Sequence, residues 1–146
     1  MRFMVMMIPG AMKRIEDGAL PDPKLIEAMM TYNAELGKAG VLLALDGLHP
    51  TSKGARLTFK GGKATVKDGP FTEARELVGG YWMWQVRSKE EAIEWMKRCP
   101  NPTGETGELE IRQVFENEDF GENLTPEILE NEQRLRAESA RNAAKR

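Results

Sequence analysis

The sequence has little of the residues that would place it in several specialised classes. It has one cysteine in 146 residues, so an internal disulfide is excluded and a reducing compartment is favoured. No apolar run approaches the roughly 20 residues of a membrane span. The apolar stretch at residues 2–8 stops at Pro9-Gly10 with no small-residue cleavage site behind it, which favours a buried strand over a signal peptide. We therefore expect a cytoplasmic protein without a membrane partner.

An excess of positive charge and the usual metal-ligand patterns are lacking too. The 21 basic and 23 acidic residues give a net charge of −2, which excludes nucleic-acid binding driven by overall charge. The single histidine, His49, is far along the chain from the single cysteine, Cys99, so no metal-ligand spacing is present. The pair Gly61-Gly62 is followed by no helix and is not a phosphate loop. We predict neither a metal nor a cofactor.

What is present over residues 1–115 is the periodicity of an α+β domain. Apolar runs predict strands at residues 2–8, 41–45, 81–86 and 109–113. Apolar residues at helical spacing predict one helix between Asp22 and Gly40 and another from Ser88 to Cys99. Gly61-Gly62, between runs 55–59 and 63–66, predicts an inserted β-hairpin. We also predict a loop at 11–21 and a short helix at 72–78. Without the hairpin the order is β-α-β-β-α-β, the ferredoxin-like order, with both helices on one face of an antiparallel sheet.

The segment YWMWQV at 81–86 is apolar on both of its sides. Trp82 and Trp84 point to one side of the strand, and Tyr81, Met83 and Gln85 to the other. Two helices suffice to cover only one face of such a sheet, so the second face needs a layer from elsewhere. We predict a homodimer that packs through this open sheet face.

The last part of the chain, residues 116–146, differs in composition and is predicted to be a charged extension. Residues 116–132 contain acidic but no basic side chains, whereas basic residues predominate from Gln133 onward. Thr125-Pro126-Glu127 is a helix start, and acidic residues before basic ones suit the helix dipole. We expect this extension to be helical from about residue 126.

The densest group of polar residues runs from Lys67 to Tyr81 and includes Asp68-Gly69-Pro70-Phe71. This motif resembles the signature of the YCII-related, or DGPF-domain, family. Glu73, Glu76 and Gly79-Gly80-Tyr81 match the same pattern, as do the earlier Gly40-Val41-Leu42 and Gly47-Leu48-x-Pro50. The resemblance covers roughly residues 1–115.

The resemblance implies a fold more clearly than an activity. Members of the family resemble ferredoxin-like sandwiches that pair into a dimeric α+β barrel, and most are uncharacterised. The broader branch has a suggested His–Asp active-site pair whose histidine lies in the first helix. Residues 24–39 of this chain contain no histidine, so that pair is not reproduced here. Genes of the DGPF branch often accompany extracytoplasmic-function sigma factors, which implies a regulatory context.

Three residues are candidates for catalysis, and each has a simpler interpretation. Asp68 is a general base or cation partner, or it only fixes the turn before Gly-Pro. His49 is the one side chain that titrates near neutrality without perturbation, or it is an exposed loop residue. Glu76 shares a helical face with Glu73 for acid–base work, or both are solvated.

Five further residues are predicted to bind a ligand at the DGPF loop: Pro70, Phe71, Glu73, Tyr81 and Arg56. The aromatic rings offer an apolar wall, and the guanidinium of Arg56 suits an anionic group. The sequence thus indicates a small-molecule cleft that either binds or catalyses. A regulatory or protein-interaction module without catalysis and a dimer without a ligand are the alternatives, and whether the protein is an enzyme stays open.

Overall fold

The computed structural model describes residues 1–73, 76–102 and 104–145. The chain forms two compact units, Met1–Val114 and Phe115–Arg146. The first unit combines an antiparallel sheet with helices, so the predicted α+β class is confirmed.

In its described residues the first unit contains three α-helices and six β-strands, besides a 3₁₀ turn at Thr51–Lys53. In chain order they are β1 (Arg2–Ile8), α1 (Met12–Glu16), α2 (Pro23–Lys38), β2 (Leu42–Gly47), β3 (Ala55–Lys60), β4 (Lys63–Asp68), β5 (Gly80–Gln85), α3 (Lys89–Lys97) and β6 (Glu108–Gln113). Four strands form one sheet in the order β2-β5-β1-β6, with every neighbouring pair antiparallel. Strands β3 and β4 pair with each other in a separate two-stranded sheet.

The two longer helices of this unit begin at the caps that the sequence indicates. The Asp22 carboxylate accepts a hydrogen bond from the backbone N–H of Lys24 at 2.7 Å, ahead of α2. The Ser88 hydroxyl accepts one from the N–H of Glu91 at 3.1 Å, ahead of α3. The Glu91 carboxylate in turn accepts a hydrogen bond at 2.7 Å from the N–H of Arg87, one residue before Ser88.

One face of the four-stranded sheet packs against α2 and α3. Phe3 and Val5 of β1 and Trp82 and Trp84 of β5 are buried on this face, where they meet residues of the helices: Tyr32, Leu36 and Ala92. Two hydrogen bonds tie the helices into this core. The Tyr32 hydroxyl donates to the backbone oxygen of Trp95 at 2.7 Å, and the indole N–H of Trp82 donates to the Asn33 side chain at 2.8 Å.

The other face of the sheet carries Met4, Met6, Tyr81 and Met83, and we call these four residues the open face. Strand alternation and the cross-strand pairs Met4–Met83 and Met6–Tyr81 place them side by side. All four are half-buried. The predicted division of β5, with its tryptophans on one side and Tyr81 and Met83 on the other, agrees with this register.

Two local predictions need comment. The loop predicted over 11–21 is wrong in part, because residues Met12–Glu16 form α1. Met12 is buried and anchors this short helix. Most of the other residues of the segment are charged, so the sequence shows no apolar periodicity from which the helix could be predicted. The helix predicted over 72–78 includes Ala74 and Arg75, which lie outside the described residues, and Leu77 and Val78 are not helical.

The second unit contains a 3₁₀ segment at Asn117–Asn123 and the helix α4 at Pro126–Ala143. The Thr125 hydroxyl caps α4 by accepting a hydrogen bond from the N–H of Ile128 at 3.3 Å. Among the helices in the described ranges, none combines the length and the apolar character required to cross a membrane.

Cys99 is expected to react slowly with alkylating agents in the folded protein. It is partly buried against the core, and this burial raises the pKa of its thiol to about 11. At pH 8 the reactive thiolate is then about a hundredfold scarcer than in an unfolded chain. Mass spectrometry after iodoacetamide treatment measures the rate, with urea-unfolded protein as the control. We expect the rate to rise about tenfold per pH unit from pH 8 to 10, and equal native and unfolded rates would contradict the burial of this thiol.

Candidate functional site

The DGPF loop, Asp68 to Phe71, lies at the end of the sheet where β2 stops and β5 starts. The backbone N–H of Leu48, just after β2, donates to the oxygen of Gly79, just before β5, at 2.9 Å. The N–H of Gly69 donates to the oxygen of Gly54 at 3.0 Å. The chain segments on both sides of the hairpin are therefore held together at one end of the sheet.

The loop is held through Thr51 and a carboxylate that sequence reasoning missed. One oxygen of Glu16 accepts the backbone N–H of Thr51 at 2.9 Å, and the other accepts the Thr51 hydroxyl. The same hydroxyl oxygen accepts the backbone N–H of Phe71 at 2.9 Å. Because the Thr51 hydroxyl donates to Glu16 and accepts from Phe71, two consecutive hydrogen bonds link α1 to the loop. The sequence pattern does not indicate this contact, since Glu16 lies 35 residues before Thr51.

Gly69 is packed so closely that no side chain fits. A Cβ atom built on it would lie 1.7 Å from the backbone oxygen of Thr51, far inside van der Waals contact. The peptide bond between Gly69 and Pro70 is cis. The motif therefore requires glycine at this position for steric reasons, whatever else the loop does.

Arg56, Phe71 and Glu73 form a cluster at the surface of the loop. The guanidinium carbon of Arg56 lies 3.9 Å from the centre of the Phe71 ring, and its Nη1 is 3.3 Å from Oε2 of Glu73. The pKa of Glu73 is held below its usual range by its own backbone N–H and then by Arg56. Both charged side chains are about half exposed. Three of the five predicted ligand residues thus lie together, with Arg56 in contact with both Phe71 and Glu73.

Tyr81, the fourth predicted ligand residue, is paired with Asp46 on β2. Its hydroxyl donates to Oδ2 of Asp46 at 2.8 Å. This hydrogen bond and the negative charge of Asp46 raise the pKa of the Tyr81 phenol, because both favour its neutral form. Asp46 was not among the predicted residues. Pro70, the fifth, is exposed in the loop itself.

The three candidate catalytic residues lie at the same end of the sheet, but the structure does not join their side chains. Asp68 is the exposed last residue of β4, and His49 is exposed between Leu48 and Thr51. Glu76 is also exposed, and its backbone N–H donates to the oxygen of Glu73 at 2.9 Å. Among the described residues, no hydrogen bond or ion pair connects any two of these three side chains. Their catalytic roles stay predictions.

The side chains that the structure places at the DGPF loop are charged and aromatic. Within residues 1–73, 76–102 and 104–145, no group of three or more His, Cys, Asp or Glu side chains is arranged to hold a metal ion. The described groups of the site are a stacked guanidinium, two aromatic rings and exposed carboxylates. Such groups bind an anionic or aromatic ligand through charge and stacking.

Comparison with known proteins shows which family and which protein this chain is similar to. The model of the YCII-related domain matches residues 1–118. An uncharacterised protein of Rhizobium meliloti (strain 1021) is 29% identical over 93 residues, which cover 64% of this chain and 75% of that protein. The family match spans the sheet, the hairpin and the DGPF loop. The chain therefore belongs to the YCII-related domain family.

Proposed function

We propose that this protein is a homodimer that binds a small organic anion at the DGPF loop. The observation that carries the proposal is the cluster in which Arg56 lies over Phe71 and beside Glu73. A guanidinium stacked on a ring is fixed in orientation and offers parallel N–H groups to a carboxylate or phosphate.

The loop suits a binding role because hydrogen bonds fix its backbone while the Arg56–Glu73 pair beside it is exposed to solvent. Glu16 and Thr51 hold its backbone, so a ligand would meet a loop that is already ordered. The pair Arg56–Glu73 is exposed, and ion pairs of this kind contribute little stability. An anionic ligand can therefore replace Glu73 on Arg56 at small cost, while its apolar part contacts the ring of Phe71.

The dimer is supported by the two-sided apolar sheet. The order β2-β5-β1-β6, with the hairpin left out, supports a ferredoxin-like arrangement. Two copies packed through the open face would bury Met4, Met6, Met83 and Tyr81 and would form a dimeric α+β barrel. Asp68, His49 and Glu76 remain the candidates for acid–base work on a bound molecule if the protein catalyses a reaction.

Binding is expected to depend on the charge of Arg56. Saturation-transfer NMR with a panel of small aromatic carboxylates, with benzoate as the first probe, measures it. Arg56→Gln is expected to weaken binding at least about tenfold, because it removes the guanidinium that would hold the carboxylate. In parallel, native mass spectrometry is applied to protein purified from the organism that produces it naturally. The spectrum shows whether the protein has the mass of a dimer and whether it retains a small molecule.

A matched control is Arg136→Gln on α4, where the guanidinium pairs with Glu132 one helical turn away. This variant removes the same charge and also breaks one exposed ion pair. It is expected to bind the carboxylates like the wild type. Equal weakening by the two substitutions would reduce the effect to net charge and would contradict a site at Arg56.

A further inference from the structure

The helix α4 belongs to a unit whose described residues, 115–145, form no core of their own. None of them is buried, and α4 exposes two large apolar side chains. Ile128 is 48% exposed and Leu135 is 62% exposed. The two are seven residues apart, so helical periodicity places them on one face of α4. Helices in proteins owe most of their stability to the packing of such a face, and this one therefore needs a partner.

The charges of α4 are divided between its two halves. Residues 126–133 carry acidic charges only, at Glu127, Glu130 and Glu132. Residues 134–145 carry one acidic side chain, Glu138, and four basic ones: Arg134, Arg136, Arg141 and Lys145. The helix dipole favours this order only within the first and last turns, so it does not account for the separation through the middle of the helix. A helix with one acidic and one basic half is complementary in charge to a second copy of itself that runs in the opposite direction.

We propose that α4 pairs with the α4 of a second copy of this chain in an antiparallel two-helix contact. A two-fold axis level with residues 131 and 132 sets Ile128 beside Leu135 of the partner subunit, and this apolar contact occurs twice. In the same register Glu127 comes within one helical turn of Arg134 of the partner subunit, also twice. Parallel pairing is disfavoured, because it would place every charged residue level with its own copy.

The remaining charges of the helix are compatible with this register. Glu138 lies level with Thr125 of the partner subunit, at the positive end of the partner's helix dipole. Glu132 meets Glu132 of the partner subunit near the axis, and each of them is neutralised by Arg136 of its own helix. Two charged residues lie on the far side of the helix, away from the partner: Glu130 and Arg141.

The distance between two copies of one labelled position reports the direction of the pairing. A nitroxide is attached at the exposed position 139 as Ser139→Cys, in the full chain with Cys99→Ala, and double electron–electron resonance measures the distance. Position 139 lies about 11 Å along the helix from the axis, so we expect a narrow peak at about 25 Å. Parallel helices would give less than about 15 Å, and an unpaired helix would give a broad distribution. Either result would overturn the proposal.

A pair of apolar substitutions tests the seam. Ile128→Ser with Leu135→Ser is expected to abolish the peak at about 25 Å, since both apolar contacts are lost. The control, Ala137→Ser with Ala140→Ser, introduces the same two serines on the opposite side of the helix and is expected to keep the peak. All four positions are exposed, so the core of the first unit is unaffected. A peak that survives the first pair of substitutions would refute the seam.

A charge exchange tests the complementarity. Glu127→Lys alone and Arg134→Glu alone each bring like charges together across the seam, and each is expected to remove at least about half of the peak. In an equimolar mixture of the two variants both contacts again join opposite charges, so the peak is expected to return between unlike copies. Failure of the mixture to restore it would contradict the proposed contact between Glu127 and Arg134.

The outcomes separate this inference from the proposed open-face dimer, because the two contacts use different residues. If native mass spectrometry finds a dimer in which the peak at about 25 Å is absent, the α4 contact is refuted and the open-face dimer stands. If the peak is present and Met83→Asp, which places a charge at the centre of the open face, leaves the dimer mass unchanged, the reverse holds. A wild type that is monomeric at the highest concentration measured would refute both.

Discussion

Gly69→Ala is expected to destabilise the first unit by about 3 kcal/mol. The added methyl group would lie 1.7 Å from the backbone oxygen of Thr51, and backbone atoms cannot rotate out of the way as a flexible side chain can. Thr51 is itself held by Glu16 and holds Phe71, so a shift there disturbs the whole loop. Urea unfolding followed by tryptophan fluorescence measures the free energy, and the same variant should bind aromatic carboxylates more weakly.

Gly37→Ala provides the matched control within α2. A Cβ atom at Gly37 meets nothing within 4 Å, and alanine is the better helix former. This variant is expected to stabilise the protein by about 0.5–1 kcal/mol. If Gly69→Ala were as harmless as Gly37→Ala, the close packing of the DGPF loop against Thr51 would be refuted.

Leu36→Ala is expected to cost about 2–5 kcal/mol of unfolding free energy. Leu36 is fully buried between α2 and the sheet, in the cluster that contains Trp82 and Trp84. Truncating its isobutyl side chain to a methyl group leaves a cavity that these large rings are too constrained to fill. Urea unfolding of the full chain again measures the change.

The corresponding surface substitution is Leu135→Ala on α4. This leucine is 62% exposed, and alanine has a higher helix propensity, so the change is expected to stay within about 0.5 kcal/mol. Since both substitutions remove the same atoms from a helix, the difference isolates burial. Equal effects would mean that Leu36 is not in the core of the folded protein.

The parts of the fold that were predicted correctly depend on residues close together in the chain. Asp22 and Ser88 cap helices because their side chains reach backbone N–H groups two or three residues ahead. The alternation in β5 divides Trp82 from Met83 because successive side chains of a strand point to opposite faces. The missed helix α1 has only five residues, too few for a periodic pattern to be recognisable.

The candidate site was predicted in its location but not in its contacts. The DGPF motif indicated the loop, and Arg56, Phe71 and Glu73 do meet there. Glu16 and Asp46 were missed, because each partners a residue 35 positions away in the chain. The spacing of residues within a short segment does not indicate which distant segments the fold brings together.

By itself, the amino-acid sequence determined the α+β class, the order of most elements and the family of this protein. Those properties arise from side-chain periodicity, capping and a contiguous motif, all of which act over a few residues. Only the tertiary structure decided that Glu16 and Thr51 hold the DGPF loop, that Arg56 lies over Phe71, and that the apolar face of the hairpin is exposed. Such contacts depend on how the chain closes long loops, and the burial that stabilises them exists only once the sheet and helices have packed.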